Sequence, residues 1–296
     1  ASLLKEKNKG KALEEQSRVF KVEDAKALTE LNAANMNIKD LVRVLRWMPN
    51  LTTIDASGND ISIINLQNQK IDNKAVFPLK NVTSLNLSNN SKLNTLILQS
   101  VSMLELSNSN LNTTTFNHVL QRVTNKLTIN NPGGTVKAYA LDGNSNAKIK
   151  VLHYGNSSKP LNVSYCDLDT LIINNATLGF SNLSSNAKNI SIDNIVVKGQ
   201  NAVVSKGNQK RINGEMVSVE LNTPIAKNVI FENAVMGGSS LNDWIALTTD
   251  QLCFKGCTAT SDLTITAEGT KKLTLEKMNA NVKVSSCDFS QLTLNN

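Results

Sequence analysis

The side chains with chemistry to offer are few: four cysteines, two histidines and 24 aspartates and glutamates in 296 residues. Cys253 and Cys257 stand in C-x-x-x-C spacing, whereas redox and zinc motifs use C-x-x-C. His118 and His153 lie far apart, with no ligand spacing around either, so no metal site is expected. Polysaccharide cleavage needs paired carboxylates, or a base beside an acidic calcium cluster, on one face. Asp167 and Asp169 flank Leu168 and on a strand would share a face, but ordinary surface solvation accounts for them. Phosphate loops of the G-x-x-x-x-G-K and G-x-G-x-x-G types are absent, as is a G-x-S-x-G elbow, and Met236-Gly237-Gly238-Ser239 reads as a turn. The expectation is a chain with no catalytic residue, no metal and no cofactor. Asn-x-Ser/Thr triplets at Asn50, Asn81, Asn112, Asn162, Asn175 and Asn189 fit glycan acceptors in a secreting eukaryote, and equally fit chance in a chain this rich in Asn, Ser and Thr.

What must position these residues is a repeat. In nine-residue windows, apolar residues recur at positions one, four and six, with Asn, Cys or another small or apolar residue at nine. Leu51, Ile54, Ala56 and Asn59 fill one window, and Val82, Leu85, Leu87 and Asn90 fill another. Looser copies include Leu168/Leu171/Ile173, Ala187/Ile190/Ile192 and Ala226/Val229/Phe231. Toward the end, Leu263/Ile265, Leu273/Leu275, Val282/Val284 and Leu292/Leu294 recur about every ten residues, the scale of one side of a ~20-residue coil. Positions four and six alternate with period two, so their side chains point inward from a short strand while position five points to solvent. One coil cannot bury its apolar face alone, so the copies must stack, strand beside strand, in a parallel sheet.

The frame is similar to the leucine-rich repeat, L-x-x-L-x-L-x-x-N/C, in the degenerate form of bacterial surface proteins, over roughly residues 28–296. The resemblance implies that Asn or Cys at position nine sits inside the turn and satisfies the backbone, which accounts for Cys166, Cys257 and Cys287 without a disulfide. Cys253 falls at position five, on the exposed strand face. Irregular spacing leaves a right-handed parallel β-helix as the alternative. Three helical segments favour the leucine-rich repeat: Asp40 before the apolar run from Leu41 to Trp47, the stretch Thr113–Val123, and Ser240 to Leu247. Trp47 and Trp244 are expected in the core, His118 on a helix surface and His153 in or beside a strand, each satisfied by ordinary hydrogen bonds. Residues 1–27, dense in alternating charge, are expected to form a helical cap over the first coil. Stretches 130–146 and 198–214 read as loops or insertions in the solenoid. The pattern still runs at Leu292-Thr293-Leu294, so the last coil is expected to offer an edge for end-to-end self-association.

Position five gives the expected contact surface: Asp55, Asn86, Glu105, Thr128, Ser191, Glu220 and Thr274, with Ile97, Ile172, Ile230, Cys253 and Thr293 among them. Such a surface suits a protein partner more than an active site, with a glycan second, because the tyrosines do not repeat along the strands to stack on sugars. The net charge of +7 is scattered and aromatics are only 4%, which disfavours nucleic acid. No apolar run is long enough for a membrane span. Absence of an initial Met points to a removed signal or lipoprotein segment, and the resemblance points to an extracellular or cell-surface setting.

Overall fold

The computed structural model describes residues 22–66, 69–71, 74–76, 81–133, 136–138, 149–158, 161–163, 167–180, 191–199, 203–205, 210–212, 215–217, 226–236, 248–259, 262–266, 272–285 and 292–295. Its framework is a 12-stranded sheet. In chain order the strands are β1 (Glu30–Asn32), β2 (Thr53–Asp55), β3 (Ser84–Asn86), β4 (Val101–Glu105), β5 (Val123–Asn130), β6 (Ile149–Gly155), β7 (Asp167–Asn174), β8 (Ser191–Lys198), β9 (Ala226–Glu232), β10 (Thr248–Lys255), β11 (Lys272–Glu276) and β12 (Leu292–Asn295). Each pairs in parallel with the next. Parallel neighbours require the chain to travel right round between them, and here every such journey is one coil. The chain is a parallel β-solenoid, the repeat architecture that the apolar spacing predicts.

Two inward ladders form the core. One runs from Leu31 and Ile54 through Leu85, Leu104 and Leu127 to Leu252 and Leu273, all buried. The other begins with Ala33 and Ala56 and ends with Phe231, Phe254 and Leu275, the two phenylalanines stacked at 5.1 Å between centroids. The coils vary in length. Long steps from Ile54 to Leu85 and from Ile195 to Val229 each contain an antiparallel hairpin, Gln69–Ile71 with Lys74–Val76 and Lys210–Ile212 with Glu215–Val217. The solenoid absorbs such excursions because only the strands and turns need to stack.

The turn that closes each strand has its own rule. Its first residue has positive φ in coil after coil: Asn35, Gly58, Asn89, Asn108, Asn131, Asn156, Asn175, Gly199, Asn233, Gly256 and Lys277. Glycine adopts that conformation freely and asparagine more readily than other L-residues. At Gly58 a Cβ would also collide with the Asn35 carboxamide oxygen. The asparagines stack, with Asn108 Nδ2 donating to Asn89 Oδ1 at 2.6 Å and Asn131 Nδ2 to Asn108 Oδ1 at 2.9 Å.

The next residue, position nine, turns inward. Asn90 Nδ2 donates to the carbonyls of Ala56 (3.0 Å) and Leu87 (2.9 Å), and its Oδ1 accepts from Ile61 N at 3.2 Å. Asn59 makes the equivalent bonds to Ala33 O and Ala56 O and accepts from Met36 N and Ile38 N. Cys257 does the same with a thiol, donating to Phe231 O at 3.4 Å. Cys166 and Cys287 lie outside the described residues.

The far side of the coil changes character along the chain. Helix α1 (Val22–Lys26) precedes β1, and residues 1–21 of the expected cap lie outside the described residues. Helix α2 (Leu41–Leu45) is capped by Asp40, which accepts from Arg43 N. Helix α3 (Thr113–Leu120) is capped by Asn112, accepting from Thr115 N at 2.8 Å. The segment Ser240 to Leu247 lies outside the described residues. Between α2 and α3 the far side also has the parallel pair Ile63–Asn65 and Thr95–Ile97, and after α3 the described far side is strand: Val136–Ala138, Leu161–Val163, Thr177–Phe180 and Val203–Ser205 form a 4-stranded sheet. Later coils add the pairs Val235–Met236 with Thr258–Ala259 and Leu263–Thr266 with Val282–Ser285, all parallel. The stretches 130–146 and 198–214 thus each contribute a far-side strand rather than loop alone. Trp47 is a correction: it is 41% exposed, with the Arg46 guanidinium 4.9 Å from its ring centroid, because α2 ends before it and its side chain lies outside the helix's buried face. Trp244 lies outside the described residues.

Removing the Asn90 side chain would strand interior carbonyls of two coils. Asn90→Ala is expected to destabilise by about 2–4 kcal/mol, measured as a lowered urea midpoint, with Asn94→Ala on the surface changing it by under about 0.5 kcal/mol.

Candidate binding face

The register of the large sheet converts single residues into rows. Outward residues at equivalent positions of β1 to β12 are Asn32, Asp55, Asn86, Glu105, Thr128, His153, Ile172, Val196, Ile230, Cys253, Thr274 and Thr293. Nine of the residues expected at the contact surface, Asp55, Asn86, Glu105, Thr128, Ile172, Ile230, Cys253, Thr274 and Thr293, fall in this middle row. Thr274 is only 9% exposed there, screened by its neighbours. Ser191 is out of the row: it enters β8 opposite Asp167, and Val196 holds the equivalent position. Strand β8 contains two overlapping apolar alternations, one including Ile192 and the other Ile195 and Val197, and the second is the one that continues the core. Ile97 also leaves the row, lying in the far-side strand Thr95–Ile97. Glu220 lies outside the described residues.

The row divides chemically. Its first half is polar, and these side chains are tied back to their own strands. Asp55 Oδ1 accepts from Ser57 N and Asn86 Oδ1 from Ser88 N, both at 3.0 Å, while Glu105 Oε1 accepts from Ser107 Oγ at 3.3 Å. At the junction stands His153, whose Nε2 is buried with no hydrogen-bond partner among the described residues. Ordinary hydrogen bonding therefore does not explain this histidine, contrary to expectation. Burial pushes its pKa down, Lys126 and Lys198 push it further down, and Glu105 opposes them. The second half begins with Ile172, Val196 and Ile230, three half-exposed aliphatic side chains on consecutive strands. Next comes Cys253, a thiol raised in pKa by burial first and Glu276 second, and so protonated and weakly nucleophilic at neutral pH.

Two further rows flank this one. On one side, Thr170, Asn194, Asn228 and Gln251 run beside the aliphatic stretch, followed by Lys272. On the other, Asn174, Lys198, Glu232, Lys255, Glu276 and Asn295 occupy consecutive strands. Lys198 Nζ lies 2.8 Å from Glu232 Oε2, and Lys255 Nζ 3.9 Å from Glu276 Oε1. Exposed pairs of this kind stabilise little, but they make the row neutral overall.

Elsewhere, His118 lies on α3, half-buried and held by ordinary hydrogen bonding. Its Nε2 lies 3.2 Å from both the amide and the carbonyl of Leu98, and burial pushes its pKa down. Tyr154 is fully buried, its hydroxyl donating to Ser157 Oγ at 3.0 Å. Among the described residues, no group of three or more His, Cys, Asp or Glu side chains could hold a metal ion, and no helix is long and apolar enough to cross a membrane.

Both histidines have folded-state pKa values below the ordinary 6.5. As pH falls through that value the unfolded chain takes up protons first, so stability is level above it and declines below it. Urea midpoints between about pH 8 and pH 5 are expected to fall, with His153→Gln shallower than the unaltered protein; equal slopes would contradict the buried neutral ring. No family model matches the chain, and no curated protein matches it in sequence.

Proposed function

We propose that this chain is a non-catalytic interaction or adhesion module, of the leucine-rich-repeat kind, that recognises a protein partner across its strand face at a cell surface or outside the cell. The observation that carries the reading is the run Ile172, Val196 and Ile230, an apolar strip on consecutive strands of a rigid sheet. Apolar anchors within a polar border are the common anatomy of protein interfaces. Thr170, Asn228 and Gln251 lie in the row on one side of the strip and the Lys198–Glu232 pair on the other, which gives it that border. The described rows contain no Phe, Tyr or Trp, the usual platforms for a sugar. The cell-surface setting is supported by the resemblance of the repeat frame to bacterial surface proteins.

The test uses immobilised chain and Val196→Lys to capture proteins from surface extracts, with native gels containing polysaccharides run in parallel. A partner retained by the unaltered face and reduced at least about tenfold by Val196→Lys is expected. Retardation by a polysaccharide without protein capture would overturn the reading in favour of a glycan.

A further inference from the structure

The row Asn174, Lys198, Glu232, Lys255, Glu276, Asn295 has a symmetry that no single copy uses. Read backwards, each lysine falls on a glutamate and each asparagine on an asparagine. We infer that the C-terminal half of the strand face pairs with the same face of a second copy, about a two-fold axis parallel to the strands and passing between β9 and β10. This rests on the reading of the strand face as a protein-recognition surface and names the partner for β7 to β12.

An axis in that direction preserves each row and reverses coil order, so a row meets itself head to tail. Glu232 of one copy then lies opposite Lys255 of the other, and Lys198 opposite Glu276, with every contact made twice, as an isologous interface requires. In the middle row Ile230 meets Cys253, Val196 meets Thr274 and Ile172 meets Thr293, so no charge enters the centre. In the third row Asn228 meets Gln251, amide against amide. The charges also reject the neighbouring alignment. Moving the axis onto β9 places Glu232 against Glu232 and Lys198 against Lys255, which repel.

Shape agrees with charge. Packed helices need 8–10 Å and strands about 4.8 Å, so a strand on the far side matches the spacing of the large sheet better than a helix does. From β7 onward the described far side is built of parallel strand pairs, Thr177–Phe180 with Val203–Ser205, Val235–Met236 with Thr258–Ala259, and Leu263–Thr266 with Val282–Ser285. Coils with a strand on each side can stack at strand spacing throughout, which suits this half of the face to lie against a copy of itself. Six strands about 4.8 Å apart and three rows across give roughly 500–600 Å² per copy, the low end for a specific interface. A dimer of this size is expected to be concentration-dependent.

Sedimentation velocity of the chain from about 1 to 300 µM tests this. A monomer–dimer equilibrium is expected, weakened at least about tenfold by Glu232→Lys and by Lys255→Glu. Each single variant places like charges opposite each other in its own dimer, whereas a dimer of one with the other is fully complementary. An equimolar mixture of the two is therefore expected to associate about as well as the unaltered chain, which also shows that both fold. Monomer at every concentration, or a mixture no better than its components, would overturn the inference. If the chain stays monomeric while Val196→Lys still loses a captured protein, the dimer fails and the recognition reading stands.

Discussion

The structure depends on satisfying backbone carbonyls that point into a turn with no water beside them. At the end of each strand the chain reverses sharply, and a buried carbonyl without a donor is destabilising by about as much as a lost hydrogen bond. Asn59 and Asn90 meet this by placing a carboxamide inside the coil, where one side chain serves donors and acceptors of two coils together. That bond sets where each coil lies on the last. The rows of the outer face follow from it, since a slip of one residue would turn every outward side chain inward.

How much of this was legible depends on the range of the physics involved. Leu51 to Asn59 and Val82 to Asn90 announce their role within nine residues, because inward alternation and the turn are local. Cys257 is readable for the same reason. Ser191 was misplaced because Ile192, Ile195 and Val197 offer two frames, and only packing against Leu171 and Val229 selects one. His153 was not recognised as part of the row because Tyr154 reads as half-polar, while its ring in fact fills the core. The charged row was invisible, since Lys198 and Glu232 meet only after a hairpin whose length no spacing rule contains. Trp47 shows the converse: an apolar residue just past a short helix looked like core and lies at the surface.

The two halves solve the same stacking problem with different far sides. Early coils use α2 and α3 together with the parallel pair Ile63–Asn65 and Thr95–Ile97, and later coils show only strands among the described residues. The chemistry of the face changes over the same stretch, from carboxylates and amides held by their own strands to exposed aliphatics. The aliphatic run of the middle row therefore falls where the described far side is strand.

The asparagine stack along the turns gives the solenoid a direction. Its amide bonds donate toward the N-terminal end, Asn175 to Asn156, Asn131 to Asn108 and Asn108 to Asn89. Dipoles aligned in series polarise one another, so a row of surface amides acts as a short electrical axis along the stack. Gly58, Gly199 and Gly256 carry no carboxamide and divide that axis into separate segments. The stack thus has a polarity along the turns, and the glycines limit how far it extends.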